Sequence, residues 1–88
     1  MITQTVQILN KIGLHARPAS LLVKTAESFR SNITIKNGDR SATAKSMINL
    51  LTLRAKQNDR VTIEADGDDE KEALSALVRL INSKFGEE

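Results

Sequence analysis

The chain contains a single histidine, His15, two residues ahead of Arg17 and three ahead of Pro18, where an amphipathic stretch begins. A neutral imidazole nitrogen is a nucleophile. A guanidinium is a planar fork suited to phosphate oxygens. Pro18 fits the first turn of a helix, where its missing N–H costs little, and so fixes where that helix can start. The first amides of a helix lack intrahelical acceptors and, with the helix dipole, form a site for anions. That site would lie at Ala16 and Pro18, beside the ring. The chemistry this implies is phosphoryl transfer to His15, with Arg17 and the helix start holding the charge during transfer and afterwards.

Other chemistries have less in their favour. A lone histidine near a helix start is, without further information, more often a surface or capping residue. One histidine and no cysteine cannot build the usual structural zinc site, so neither metal nor cofactor is expected. No glycine-rich phosphate loop follows a strand. A Ser-His-Asp triad is formally possible, but no spacing points to one.

The elements that must position His15 follow from periodicity. Residues 2–9 alternate, with Ile2, Val6 and Ile8 on one face and Thr3, Thr5 and Gln7 on the other, as in a half-buried strand. Gly13 breaks that pattern. From Ala16 to about Phe29, Ala19, Leu22, Val23, Ala26 and Phe29 recur at helical spacing. Ile33 and Ile35 alternate in a second strand, Asn37-Gly38-Asp39 reads as a hairpin turn, and residues 40–44 return. Ser46 is placed to cap a short helix over Met47 to Leu53. Residues 60–65 alternate again, with Val61, Ile63 and Ala65 inward. Asp69 and Glu72 have capping-box spacing ahead of a last helix with Ala73, Leu74, Leu77, Val78 and Ile81 as its buried stripe, and Lys84 and Gly86 suit its end. The outer faces of the strands are polar, so only one side of the sheet needs cover. The expected architecture is α+β: an open-faced β-sandwich, a four-stranded antiparallel sheet with three helices packed on one face.

Composition sets outer bounds. With 88 residues, 40% of them hydrophobic and only 2% aromatic, the chain suits a single domain over 1–88 with an aliphatic core. A net charge of +2 without a basic stripe or stacking aromatics speaks against nucleic acid. The absence of cysteine, of a signal peptide and of a long apolar run fits a soluble cytoplasmic monomer with no membrane insertion. The short helix after Ser46 is apolar almost all round, more than two turns can bury. Met47, Ile48 and Leu51 are therefore expected to stay partly exposed as a docking patch, extended by Ser20 and Lys24 on the first helix.

Gly13-Leu14-His15-Ala16-Arg17-Pro18-Ala19 resembles the phosphorylation motif of the HPr family, histidine-containing phosphocarriers of the phosphoenolpyruvate-dependent sugar phosphotransferase system. Ala42-Thr43-Ala44-Lys45-Ser46 resembles the family's seryl phosphorylation region, and Asp66 to Leu74 its final turn and helix. The resemblance implies an open-faced β-sandwich and a stoichiometric carrier rather than an enzyme. His15 would accept the phosphoryl group on Nδ1 from phospho-enzyme I, supported by Arg17, and donate it to enzyme IIA components of sugar permeases. Ser46 would be a regulatory phosphorylation site, with a seryl kinase/phosphorylase and a transcriptional regulator as further partners. The alternative is a regulatory or nitrogen-branch relative acting mainly through partner binding. Ile12 stands where many relatives carry a polar residue, Asn49 where relatives with seryl regulation have glycine, and Arg54 where the residue is often small.

Overall fold

The computed structural model describes residues 1–86. The elements run β1 (Ile2–Gln7), α1 (Ala16–Glu27), β2 (Asn32–Asn37), β3 (Arg40–Thr43), α2 (Met47–Leu51), β4 (Arg60–Asp66) and α3 (Glu70–Asn82), followed by a 3-10 turn at Lys84–Gly86. The four strands form one antiparallel sheet in the order β1-β4-β2-β3. Register follows the hydrophobic alternation. Val6 faces Val61, Ile2 and Ile33 flank Ala65, and Ile35 lies between Ile63 and Ala42. A one-residue slip would turn this whole row into water.

The apolar row is covered by Leu22 and Ala26 of α1, Leu50 of α2, and Ala73, Leu77 and Ile81 of α3, all buried. The other face of the sheet is polar. There Thr5 and Thr62 share a hydroxyl hydrogen bond of 2.9 Å, and the Lys36 ammonium lies 3.0 Å from Glu64. Cross-strand pairs of this kind add a few tenths of a kcal/mol to about 1 kcal/mol each.

Several local expectations change. The short helix expected over Met47 to Leu53 ends at Leu51, where the Thr52 N–H and hydroxyl both donate to Asn49 O, and Leu53 is buried just beyond it. The first strand ends at Gln7, although Ile8 remains buried, because its N–H and C=O turn to Asp59 and Asn58 in the loop before β4. The last helix ends at Asn82, and Lys84 and Phe85 take left-handed backbone angles (φ 59° and 55°). That conformation costs roughly 1–2 kcal/mol per residue, which burying a phenylalanine ring, worth about 1.5–3 kcal/mol, offsets at Phe85.

The capping box does not form. Asp69 stands at the N-cap of α3 but makes no capping bond. Its carboxylate instead accepts from the backbone N–H of Arg30 and Ser31, both at 2.9 Å, and from the Ser31 hydroxyl. Glu70 takes the local task, accepting from the Gly67 N–H at 3.2 Å. A side chain at Gly67 would meet Ser31 Cα and Oγ at 2.7 Å, so the turn before α3 is closed against the chain entering β2.

The Ser31 hydroxyl first, and the Arg30 amide after it, hold the Asp69 carboxyl below the ordinary carboxylate range. The stabilisation this reflects is present above the unfolded-state value near 4 and is lost as pH falls through the depressed folded value. Asp69→Asn should therefore melt lower than the parent at neutral pH and lose less of its stability on acidification below about pH 4. Glu70, held low mainly by the Gly67 amide, keeps part of the acid dependence in the variant. Thermal melts across the acid range read both effects. Parallel curves for variant and parent would contradict the assignment.

Candidate functional site

The loop between β1 and α1 is a rigid support. Asn10 is fully buried, and its Nδ2 donates to Gly13 O at 2.8 Å while the Gly13 N–H returns to Asn10 O at 3.2 Å. Gly13 has φ +77°, and a Cβ there would lie 2.5 Å from Ala55 O and 2.8 Å from Lys56 Cα. Only glycine fits this close approach. The Leu14 N–H then donates to Ala55 O at 2.9 Å, and the Leu14 side chain is buried. The loop is thus tied to the segment that follows α2, and the chain leaves it at a set angle into α1. Sequence reasoning did not single out Asn10. The Asn-to-Gly spacing is a turn signal that could have marked it.

His15 is the N-cap of α1, extended at φ −102° and ψ −165°, half-buried, and makes no side-chain capping bond. The helix begins with Ala19 N–H donating to His15 O at 3.0 Å. The amides of Ala16 and Arg17 lie ahead of that first bond, and Pro18 carries no N–H, so the donors of the site expected at Ala16 and Pro18 belong to Ala16 and Arg17. So two backbone donors stand at the positive end of a 12-residue helix, directly after the histidine. The first turn of α1 holds no acidic residue, whereas that of α3 holds Glu70 and Glu72. Of the two long helices, α1 alone therefore leaves its positive end free of acidic side chains, and α2, also without them, spends its cap on Ser46. Arg17 is exposed beside it, and Pro18 is buried and anchors the turn.

This arrangement is a surface, not a pocket. The main concavities lie at α3, the larger of about 460 Å³ between β1 and α3 over Ile2, Gln4, Leu74 and Val78. None of those described includes His15. A half-buried ring at the surface, outside any deep pocket, suits a group that must be reached by another protein's reactive centre. Among the described residues no cluster of three His, Cys, Asp or Glu is placed to hold a metal ion, and no helix is long and apolar enough to cross a membrane.

The remaining sequence-derived positions lie on the neighbouring helices, α1 and α2, which pack together. Ser20 and Lys24 are exposed, one and two turns along α1 from Ala16. Ser46 is the N-cap of α2, its Oγ accepting from the Asn49 N–H at 3.3 Å. Lys45 Nζ donates to Phe29 O at 2.9 Å and joins this corner to the end of α1. In α2 only Leu50 is buried; Ile48 is 77% exposed, Met47 37% and Leu51 38%. Arg54, just after α2, is left-handed at φ 51°, a conformation that glycine adopts without the roughly 1–2 kcal/mol it costs here.

A family model described as the PTS HPr component phosphorylation site matches residues 2–83. The phosphocarrier protein HPr of Haemophilus influenzae is 47% identical over 81 residues, covering 92% of this chain and 95% of the relative. The phosphocarrier protein NPr of Escherichia coli is 40% identical over 88 residues, covering 99% and 98%. Among solved structures, HPr-C-His from Thermoanaerobacter tengcongensis superposes with a TM-score of 0.96 at 49% identity, over 100% of this chain and 99% of that one.

Proposed function

The chain belongs to the HPr family of phosphotransferase-system phosphocarriers, and on that premise we propose that it carries its phosphoryl group on His15. It is a system component rather than a catalytic enzyme, and the family implies enzyme I and enzyme IIA proteins as its partners. The observation that carries the assignment is the placing of the one histidine at the N-cap of α1, ahead of the open amides of Ala16 and Arg17.

In the transfer, a ring nitrogen of neutral His15 attacks the phosphorus held on the histidine of enzyme I. The new P–N bond forms as the donor's breaks, and the donor ring leaves with its electron pair. Negative charge on the phosphoryl oxygens meets the Ala16 and Arg17 amides and the Arg17 guanidinium, donors already in place before the reaction. The same groups hold the dianion afterwards, so no metal or cofactor is needed. Donation to enzyme IIA is the reverse step with a new acceptor. Met47, Ile48 and Leu51, with Ser20 and Lys24, form the docking surface around the ring. In this reading residues 1–88 act as one domain, a cytoplasmic monomer of the sugar branch.

The test is to incubate the protein with phosphoenolpyruvate, magnesium and enzyme I of either the sugar or the nitrogen-linked branch. Acid-labile phosphate is expected, formed faster with the sugar enzyme. No labelling by either would end the assignment, and faster labelling by the nitrogen enzyme would move the protein to that branch, represented among its relatives by NPr.

Ser46 supports a second layer of control, with a seryl kinase/phosphorylase and a transcriptional regulator as partners. Negative charge at Ser46 lies at the positive end of α2 and stabilises it by about 0.3–1 kcal/mol. The same charge beside Met47 and Ile48 must be desolvated when an apolar partner surface docks. Ser46→Asp should therefore melt no lower than the parent yet accept phosphate from enzyme I far more slowly, through a raised KM. Unaltered transfer kinetics would leave Ser46 as a cap alone.

A further inference from the structure

We infer that Ile12 is an anchor for the phosphoryl donor, an apolar contact that enzyme I buries when it meets His15. The inference rests on the assignment of His15 above. Ile12 is 71% exposed, whereas Ile8 and Leu14, on either side of it, are buried. The loop does not collapse to hide it. Asn10 and Gly13 close the turn with two hydrogen bonds, and Gly13 packs so closely on Ala55 and Lys56 that a Cβ would not fit between them. The isoleucine is thus held out in water by a rigid turn three residues from the reacting ring.

Its surroundings say what would cover it. Apart from Met1 at the chain start, the exposed large apolar residues among those described are Ile12, Met47, Ile48 and Leu51. All four belong to the two segments joined by the Leu14–Ala55 bond. Single exposed apolar residues need no explanation, but their gathering at one end does. The charge there is predominantly positive, with Asp59, which accepts from the Lys56 N–H at 2.9 Å, as the acidic residue at its border. Residues 1–26 and 44–58 contain no Asp or Glu, and carry Lys11, Arg17 and Lys24 in the first segment and Lys45, Arg54 and Lys56 in the second. The complementary partner is a protein whose reactive centre is rimmed by acidic residues and has an apolar recess at the place Ile12 reaches. Cations steer such an encounter, and the apolar contact lengthens it.

The experiment measures transfer from phosphorylated enzyme I to the parent, Ile12→Ala and Ile12→Leu. Ile12→Ala should raise KM about tenfold at unchanged kcat, the loss expected for truncating a buried branched side chain. Ile12→Leu should restore KM to within about twofold. The ratio of variant to parent KM should not change between low and high salt, because the missing contact is apolar, while both absolute values rise as steering is screened. An unchanged KM, a fall in kcat alone, or a markedly lower melting temperature in a thermal melt of the same variant would each overturn the role. If the parent itself is not labelled, the His15 assignment fails and this inference with it. A normally labelled parent with an unaffected Ile12→Ala overturns only the anchor.

Discussion

His15→Ala should take up no label from phosphoenolpyruvate and enzyme I, the largest effect expected of any single substitution in this protein. No other imidazole exists to replace it, and the chain has no cysteine to offer a different labile linkage. The fold should remain. The His15 side chain does not cap α1, so its removal forfeits none of the roughly 0.5–2 kcal/mol that a true N-cap supplies. The backbone bonds that set the loop, Leu14 N–H to Ala55 O and Ala19 N–H to His15 O, do not depend on the ring. Labelling and a thermal melt on the same preparation separate the two quantities. Acid-labile phosphate on the variant would show that the group is carried elsewhere.

Arg17→Ala should slow transfer by about 30- to 1,000-fold with little change in melting temperature. A charge clamp placed on the transferring group is worth roughly 2–4 kcal/mol in the transition state, which converts to that range. Arg17 is exposed on the first turn of α1 and takes part in no salt bridge among the described residues, so the fold loses little with it. The Ala16 and Arg17 amides remain in the variant, since they belong to the backbone, and account for residual transfer. Rapid-mixing measurement of phosphate passing from enzyme I should place the loss in kcat more than in KM, because the guanidinium acts on charge that develops during transfer. Equal rates for variant and parent would remove Arg17 from the mechanism. A large drop in melting temperature would reassign it to the fold.

Much of this was legible from residue order alone. His15, Arg17 and Pro18 are neighbours in sequence, and a helix start is a local event, so the likeness to a phosphorylation motif could be seen before any fold. The alternation of Ile33 with Ile35, and of Val61, Ile63 and Ala65, carried the strands. The surplus of apolar residues after Ser46 already implied that some stay outside, and Ile48 does. Ser46 reads as a cap and caps, because capping joins residues three apart.

What sequence by itself determined, then, is whatever depends on a few residues in a row: the candidate nucleophile and the cation beside it, the periods of strands and helices, and the polar outer face that leaves the sheet open on one side. Tertiary structure decided where distant segments meet. Asp69 has the spacing of a local cap, yet its carboxylate goes to Arg30 and Ser31, because the segment between α1 and β2 arrives there with two backbone donors and a hydroxyl. Gly13 reads as a break in a strand, but the need for glycine comes from Ala55 and Lys56, more than 40 residues further on. Ile12 and Ile8 are the same residue type four positions apart, and only the closed Asn10–Gly13 turn sends one into water and the other into the core. Periodicity records which side of an element is apolar; it does not record which backbone groups of another element will come within hydrogen-bonding distance of it.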